Sequence, residues 1–137
     1  MTKEEKAVLK VVKKFLSSYA NRNIDGCMDT LTKSESIVML GTNDNEIFKT
    51  AKGVRAALKK DYKSMSDIRW GKSRNLYVKV SPALASVVIE MPIFYKSEGE
   101  KVKTIFRYAM TLVKENETWK ICAGMASVPF SSGTYSF

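Results

Sequence analysis

The chain has 137 residues, with 23 lysines and arginines against 14 acidic residues, a net charge of +9, no histidine and two cysteines. That length suits one hydrophobic core, and no apolar run approaches the ~20 residues that cross a bilayer, so no membrane segment is expected. Without histidine or a calcium-loop spacing of carboxylates neither a metal nor a cofactor is expected, and the 18 lysines and five arginines are too dispersed to predict a dedicated nucleic-acid surface.

The opening stretch, MTKEEKAVLKVVKKF, mixes lysines with Glu4 and Glu5 and lacks the continuous apolar core of a signal peptide, which makes a cytoplasmic address the expectation. Val8, Val11, Val12, Phe15, Leu16 and Tyr19 recur at helical spacing behind Thr2 and Glu5, a capping-box pair, and predict an amphipathic helix over residues 3–20. After Asn21-Arg22-Asn23 a short helix over residues 24–31 turns Ile24, Cys27, Met28 and Leu31 inward. Cys27 and Cys122 have no zinc spacing and read as two small buried thiols. SIVML, residues 36–40, predicts a strand closed by the turn-prone run Gly41 to Asn45. Val54, Ala57, Leu58, Tyr62 and Met65 then predict a third helix over residues 52–65.

From Ile68 onward the pattern alternates with a period of two. Strands are expected over residues 68–80, 84–95, 102–114 and 118–128, with turns at Ser81-Pro82, Ser97 to Glu100 and Glu115 to Glu117. Helices first and a meander after predict an α+β domain over residues 1–130, its antiparallel sheet covered on one face by helices. Residues 131–137 read as a loosely ordered tail.

Hairpin geometry assigns the faces. A turn between Lys96 and Lys101 sets Glu90 opposite Arg107, and a two-residue tip at Asn116-Glu117 sets Met110 opposite Ala123 and Tyr108 opposite Met125. Tyr108, Met110, Trp119, Ile121, Ala123 and Met125 then share a core face with Val87 and Ile89. The other face carries Glu90, Arg107, Ala109, Thr111, Cys122 and Gly124, small and mixed enough to suit the interface of a homodimer. Opposite Arg107, Glu90 reads as a structural ion partner rather than a general base tuned by burial.

Three segments, SSYANRNIDGCMDTL, LGTNDNEIFKTAKGVRAALKKD and FRYAMTLVKENETWKICAGMASVP, together with the element order, resemble the nuclear transport factor 2-like superfamily. Within it the chain is similar to the SnoaL-like group, related to polyketide cyclases and ketosteroid isomerases. The resemblance spans nearly the full length. It implies a cystatin-like fold, a cone-shaped curved antiparallel sheet around a pocket closed by three helices from the N-terminal half, and commonly a dimer through the sheet. Many relatives carry histidines at the positions that here hold Ala123 and Met125, ahead of a serine matching Ser127.

The pocket so implied is expected to bind a small, largely apolar molecule, with Tyr19, Met39, Trp70, Tyr108, Met110, Ala123 and Met125 around it. Polar handles would come from the hydroxyls of Tyr19, Tyr77, Tyr108 and Ser127 and the Trp70 indole. The same methionines and aromatics also fit plain core packing. Two alternatives stay open. One is an isomerase, cyclase or dehydratase using Asp29, Glu46 or Glu90 with Tyr108 as donor; the other is a ligand-free dimerisation module like the association domain of calmodulin-dependent kinases.

Overall fold

In a computed structural model, whose description covers residues 1–130, Thr2 caps the first helix, α1 (Lys3–Ala20). Its hydroxyl accepts from the Glu5 N–H at 3.1 Å, while the Thr2 N–H donates to Glu5 Oε1 at 2.8 Å, which closes the expected capping box. The expected tail, residues 131–137, lies outside the described residues. Asn23 opens α2 (Ile24–Asp29) by accepting from the Gly26 N–H at 3.0 Å, and Thr50 does the same for α3 (Ala51–Ser64) through the Gly53 N–H at 3.0 Å.

Seven strands form one curved, unclosed mixed sheet: β1 (Val38–Leu40), β2 (Ile47–Phe48), β3 (Met65–Trp70), β4 (Arg74–Val80), β5 (Leu84–Ser97), β6 (Glu100–Glu115) and β7 (Thr118–Ser127). Their order is β2-β1-β7-β6-β5-β3, with β4 also paired to β5. The sheet is not wholly antiparallel as expected, because β1 runs parallel to β7. The approach to β1 sets that direction: Ile121 donates to the Thr30 carbonyl at 2.8 Å and accepts from the Thr32 N–H at 2.9 Å, so Leu31 docks alongside β7 before β1 begins.

The strand expected over residues 68–80 is two strands sharing one edge of β5. β3 pairs along Ile93 to Ser97 and β4 along Ala85 to Glu90. At the break the Gly71 N–H donates to the Pro92 carbonyl at 2.8 Å, and a Cβ on Gly71 would lie 2.9 Å from Pro92 Cγ, so the backbones approach too closely for a side chain. Each strand also has a register shift beside a left-handed residue, Asp67 and Asn75, both at φ 52°. Such bulges bend and twist a sheet.

The β5–β6 register is the expected one, Glu90 facing Arg107 throughout a continuous ladder, although the turn is a two-residue tip, Glu98-Gly99, with both residues at positive φ. The last hairpin departs. It starts in the expected register, Glu115 opposite Thr118 and Leu112 opposite Ile121, but Cys122 is an extra residue and Thr111 then faces Ala123. Past that bulge every side chain of β7 changes sides. Ala123 and Met125 turn to the outer face, Met125 being 55% exposed, while Gly124 and Ala126 turn inward and are buried. The expected placement of Ala123 and Met125 indoors and Gly124 outdoors is therefore reversed.

The core lies between α1 and the inner face of the sheet, where Val8, Val12 and Phe15 pack with Val87, Ile89, Met110, Leu112 and Ile121. Gly124 belongs to this side: a Cβ there would lie 2.8 Å from Tyr108 Cε1 and 3.2 Å from the Met39 thioether. Gly124→Ala is expected to destabilise the fold by about 1–3 kcal/mol through overpacking, whereas Met125→Ala on the exposed side should change stability by less than about 0.5 kcal/mol. Urea denaturation of the two variants checks this, and the opposite ranking would restore the unbulged register.

Candidate functional site

Arg22 follows the end of α1 with a left-handed backbone, φ 60°, and reaches across to the end of α3. Its guanidinium donates to the carbonyls of Tyr62 and Met65, each at 2.8 Å, and lies 4.8 Å over the Tyr62 ring. The Tyr62 hydroxyl in turn donates to the Tyr19 carbonyl at 2.7 Å. These bonds lock the C-terminal ends of two helices together and bring Tyr19 and Asp61 into contact, the Tyr19 hydroxyl donating to Asp61 Oδ2 at 2.9 Å.

That pair forms the polar end of a cavity of about 420 Å³ between the helices and the inner face of the sheet. The wall is a chain of rings: Tyr19 to Trp70 at 6.1 Å, Trp70 to Phe106 at 5.4 Å, Phe106 to Tyr108 at 5.6 Å, and Tyr108 edge-on to Phe15 at 6.0 Å. Met39, Leu58 and Ala126 are among the other apolar residues of the lining. Glu46 also borders the cavity, with Oε1 accepting from the Asn43 N–H at 2.8 Å.

Burial holds the Asp61 carboxyl above the usual carboxylate range, with Glu46 pushing the same way, against the Tyr19 hydrogen bond and the nearby charge of Lys60, which favour the charged form. Tyr19 and Tyr108 are held protonated, both mainly by burial, and Asp61 adds to the effect on Tyr19. The Tyr108 hydroxyl has no hydrogen-bond partner among the described residues, although its ring is buried. Burial pushes the Cys27 thiol up to about 12, so it stays a neutral core group. Asp61 and Glu46 can accept hydrogen bonds from a bound group and Tyr108 can donate one.

The SnoaL-like domain family matches residues 8–131, nearly the whole chain. The chain belongs to that family. Among curated proteins, none matches it in sequence. Solved structures resemble it closely in fold. A ketosteroid isomerase-like protein from Erwinia carotovora atroseptica superposes with a TM-score of 0.81 at 12% identity, covering 96% of this chain and 100% of that one. A proposed dehydratase of the NTF2-like family from Streptomyces avermitilis gives 0.83 at 12% identity, covering 93% and 97%. A cystatin-like protein of unknown function from Nostoc punctiforme gives 0.76 at 13% identity, covering 98% of both chains. At such identities the likeness is one of fold.

Within this SnoaL-like chain, Tyr19, Met39, Trp70 and Tyr108 line the cavity together. Met110 does not reach it, lying 2% exposed in the core, and Ala123 and Met125 are on the opposite face of the sheet. The Trp70 indole N–H is already bonded to the Leu16 carbonyl at 2.7 Å, while Tyr77, half exposed, and Ser127 belong to the outer side. Of the carboxylates considered from sequence, Glu46 alone borders the cavity. Asp29 pairs with Lys14 at the surface, and Glu90 lies across the sheet.

Asp61 was missed, yet it is three residues beyond Leu58 and four beyond Ala57, on the same inward helical face.

Glu90 is 6% exposed and fully engaged: it accepts from Arg107 Nε at 2.7 Å, Arg74 Nε at 2.6 Å and Asn75 Nδ2 at 3.1 Å. Arg107, then Arg74, hold its carboxyl below the usual range, as a structural partner. Arg107, Ala109 and Thr111 face outward with it, Cys122 sits half-buried at the bulge, and Gly124 is inside. Among the described residues no His, Cys, Asp and Glu side chains gather as metal ligands, and no helix is long and apolar enough to cross a membrane.

The sign of the Asp61 effect is testable. Because its folded pKa lies above the unfolded value of ~3.9, the folded state binds more protons between the two, and stability falls as pH rises through that window. Asp61→Asn can still accept from Tyr19 and is expected to raise Tm at pH 7 by a few degrees, the advantage disappearing below pH ~3.5. Thermal melts across pH check this; a variant less stable at pH 7 would contradict the burial account.

Proposed function

We propose that this SnoaL-like chain binds a small, largely apolar molecule in the cavity between α1, α3 and the inner sheet face. The observation that carries this reading is the Tyr108 hydroxyl, which borders the cavity with no hydrogen-bond partner among the described residues. Among the described residues no buried side-chain polar atom lacks a hydrogen-bond partner, so the unbonded Tyr108 hydroxyl is not sealed in the core but is reached from the cavity, where water or a ligand can meet it. The cavity volume also falls within the ~300–1,000 Å³ of small-molecule sites.

A neutral carbonyl probe, acetophenone, followed by ligand-observed NMR, tests the role of Tyr108. Tyr108→Phe is expected to weaken acetophenone roughly three- to tenfold, one neutral hydrogen bond's worth, with Tm unchanged because no protein bond is lost. Equal affinity for both proteins would remove Tyr108 from the reading.

We also infer that the outer face joins two copies of the chain. Tyr77, Val88, Ala109 and Met125 lie side by side across β4, β5, β6 and β7, and three of them are 50%, 41% and 55% exposed, an apolar row that water solvates poorly. It adjoins the Glu90 cluster, whose two arginines keep the buried carboxylate neutralised. Ala109→Arg, in the middle of the row, is expected to convert a dimer into a folded monomer by sedimentation. A monomeric wild type would overturn the inference.

A further inference from the structure

The ionisable groups of the cavity run against the rest of the chain. Lysines and arginines outnumber acidic residues 23 to 14, yet among the described residues the cavity is bordered by Asp61 and Glu46 and by no lysine or arginine. Charged side chains withdrawn from water are ordinarily paired, and Glu90 follows that rule with two arginines. Asp61 does not: Tyr19 occupies one oxygen, and no described residue forms an ion pair with it or with Glu46. The walls beside these carboxylates are the faces and edges of Tyr19, Trp70, Phe106 and Tyr108, rings whose negative faces attract a desolvated cation.

We propose that the molecule this cavity takes is an organic cation, an aryl-sized apolar body bearing one ammonium group, with the charge at Asp61 and Glu46 and the body against the rings. The proposal rests on the cavity-binding reading and narrows it to a ligand class. A neutral ligand leaves Asp61 with no ion-pair partner, only the more distant charge of Lys60. An anion meets two carboxylates and no basic group. The dispersed positive surface slows the approach of a cation but lies outside the cavity, where short-range attraction decides residence.

Three probes of matched size separate the cases: phenyltrimethylammonium, its neutral isostere tert-butylbenzene, and benzoate, titrated into the full chain near pH 7.5 by ligand-observed NMR. The cation is expected to bind about tenfold or more tighter than the isostere, with benzoate weakest. Asp61→Asn should cost the cation about tenfold and leave tert-butylbenzene within about twofold. Glu46→Gln is the second variant, expected to cost the cation about threefold, should Asp61→Asn fold poorly. Lowering the pH until Asp61 takes up its proton should reduce the preference of the wild type by about as much as Asp61→Asn does.

If tert-butylbenzene binds as tightly as the cation, or Asp61→Asn and Glu46→Gln leave the preference intact, the cation proposal falls while the cavity reading stands. If no probe and no neutral ketone binds, both fall together.

Discussion

Cys122 faces no residue of β6, and the interior of the molecule depends on that one unpaired position. Side chains along a strand alternate with a period of two, so a single inserted residue exchanges the inner and outer sets beyond it. Here the exchange places Gly124 and Ala126 under the helices and sends Met125 outward. In the unbulged register a methionine would project into the space that is now cavity. With Gly124 opposite Met110, the Tyr108 ring and the Met39 thioether lie against bare backbone, closer than a Cβ would permit. The void thus follows from small residues brought inward by a bulge, and the outer apolar row follows from the large residue it expels.

Two carboxylates on opposite sides of the sheet, Glu90 and Asp61, show how position decides the role of such a group. The Asn75 bulge in β4 turns its amide toward Glu90, where it joins Arg74 and Arg107, so that both carboxylate oxygens are met and its proton affinity falls. Asp61 has one tyrosine hydroxyl and burial, and its proton affinity rises. The first arrangement secures the junction of β4, β5 and β6. The second leaves a carboxylate with unused capacity at the end of an aromatic wall, the arrangement expected where stability is given up for binding.

Much of the fold was legible because its signals are local. The periodicity from Val8 to Tyr19 and the Thr2–Glu5 pair marked α1 to the residue, and the alternation around the Glu98-Gly99 tip fixed the whole β5–β6 ladder. What escaped depends on partners distant in sequence. β2 has two residues and exists only through β1, the parallel direction of β1 is set by bonds to Ile121, and the break at Gly71 answers to Pro92. The Cys122 bulge carries no turn residue to announce it. Asp61 was hidden for another reason: the helical pattern was counted on apolar residues, and an acidic residue on the inward face registers as an interruption rather than as a site.

Fold alone leaves the chemistry open, since the SnoaL-like scaffold supplies the space and the side chains supply the function. The absence of histidine from this sequence narrows what those side chains can do near neutral pH. Tyr19 and Tyr108 stay protonated, Cys27 stays a thiol, and no lysine or arginine borders the cavity among the described residues. Asp61 is the cavity carboxyl whose proton affinity burial has raised. Of the two carboxylates that border the cavity, Asp61 is the one whose position is fixed by Tyr19 and by the Arg22 bridge between the two helix ends. Loosening that bridge would free Asp61 to turn toward water, and the cavity would lose its polar end without losing its walls.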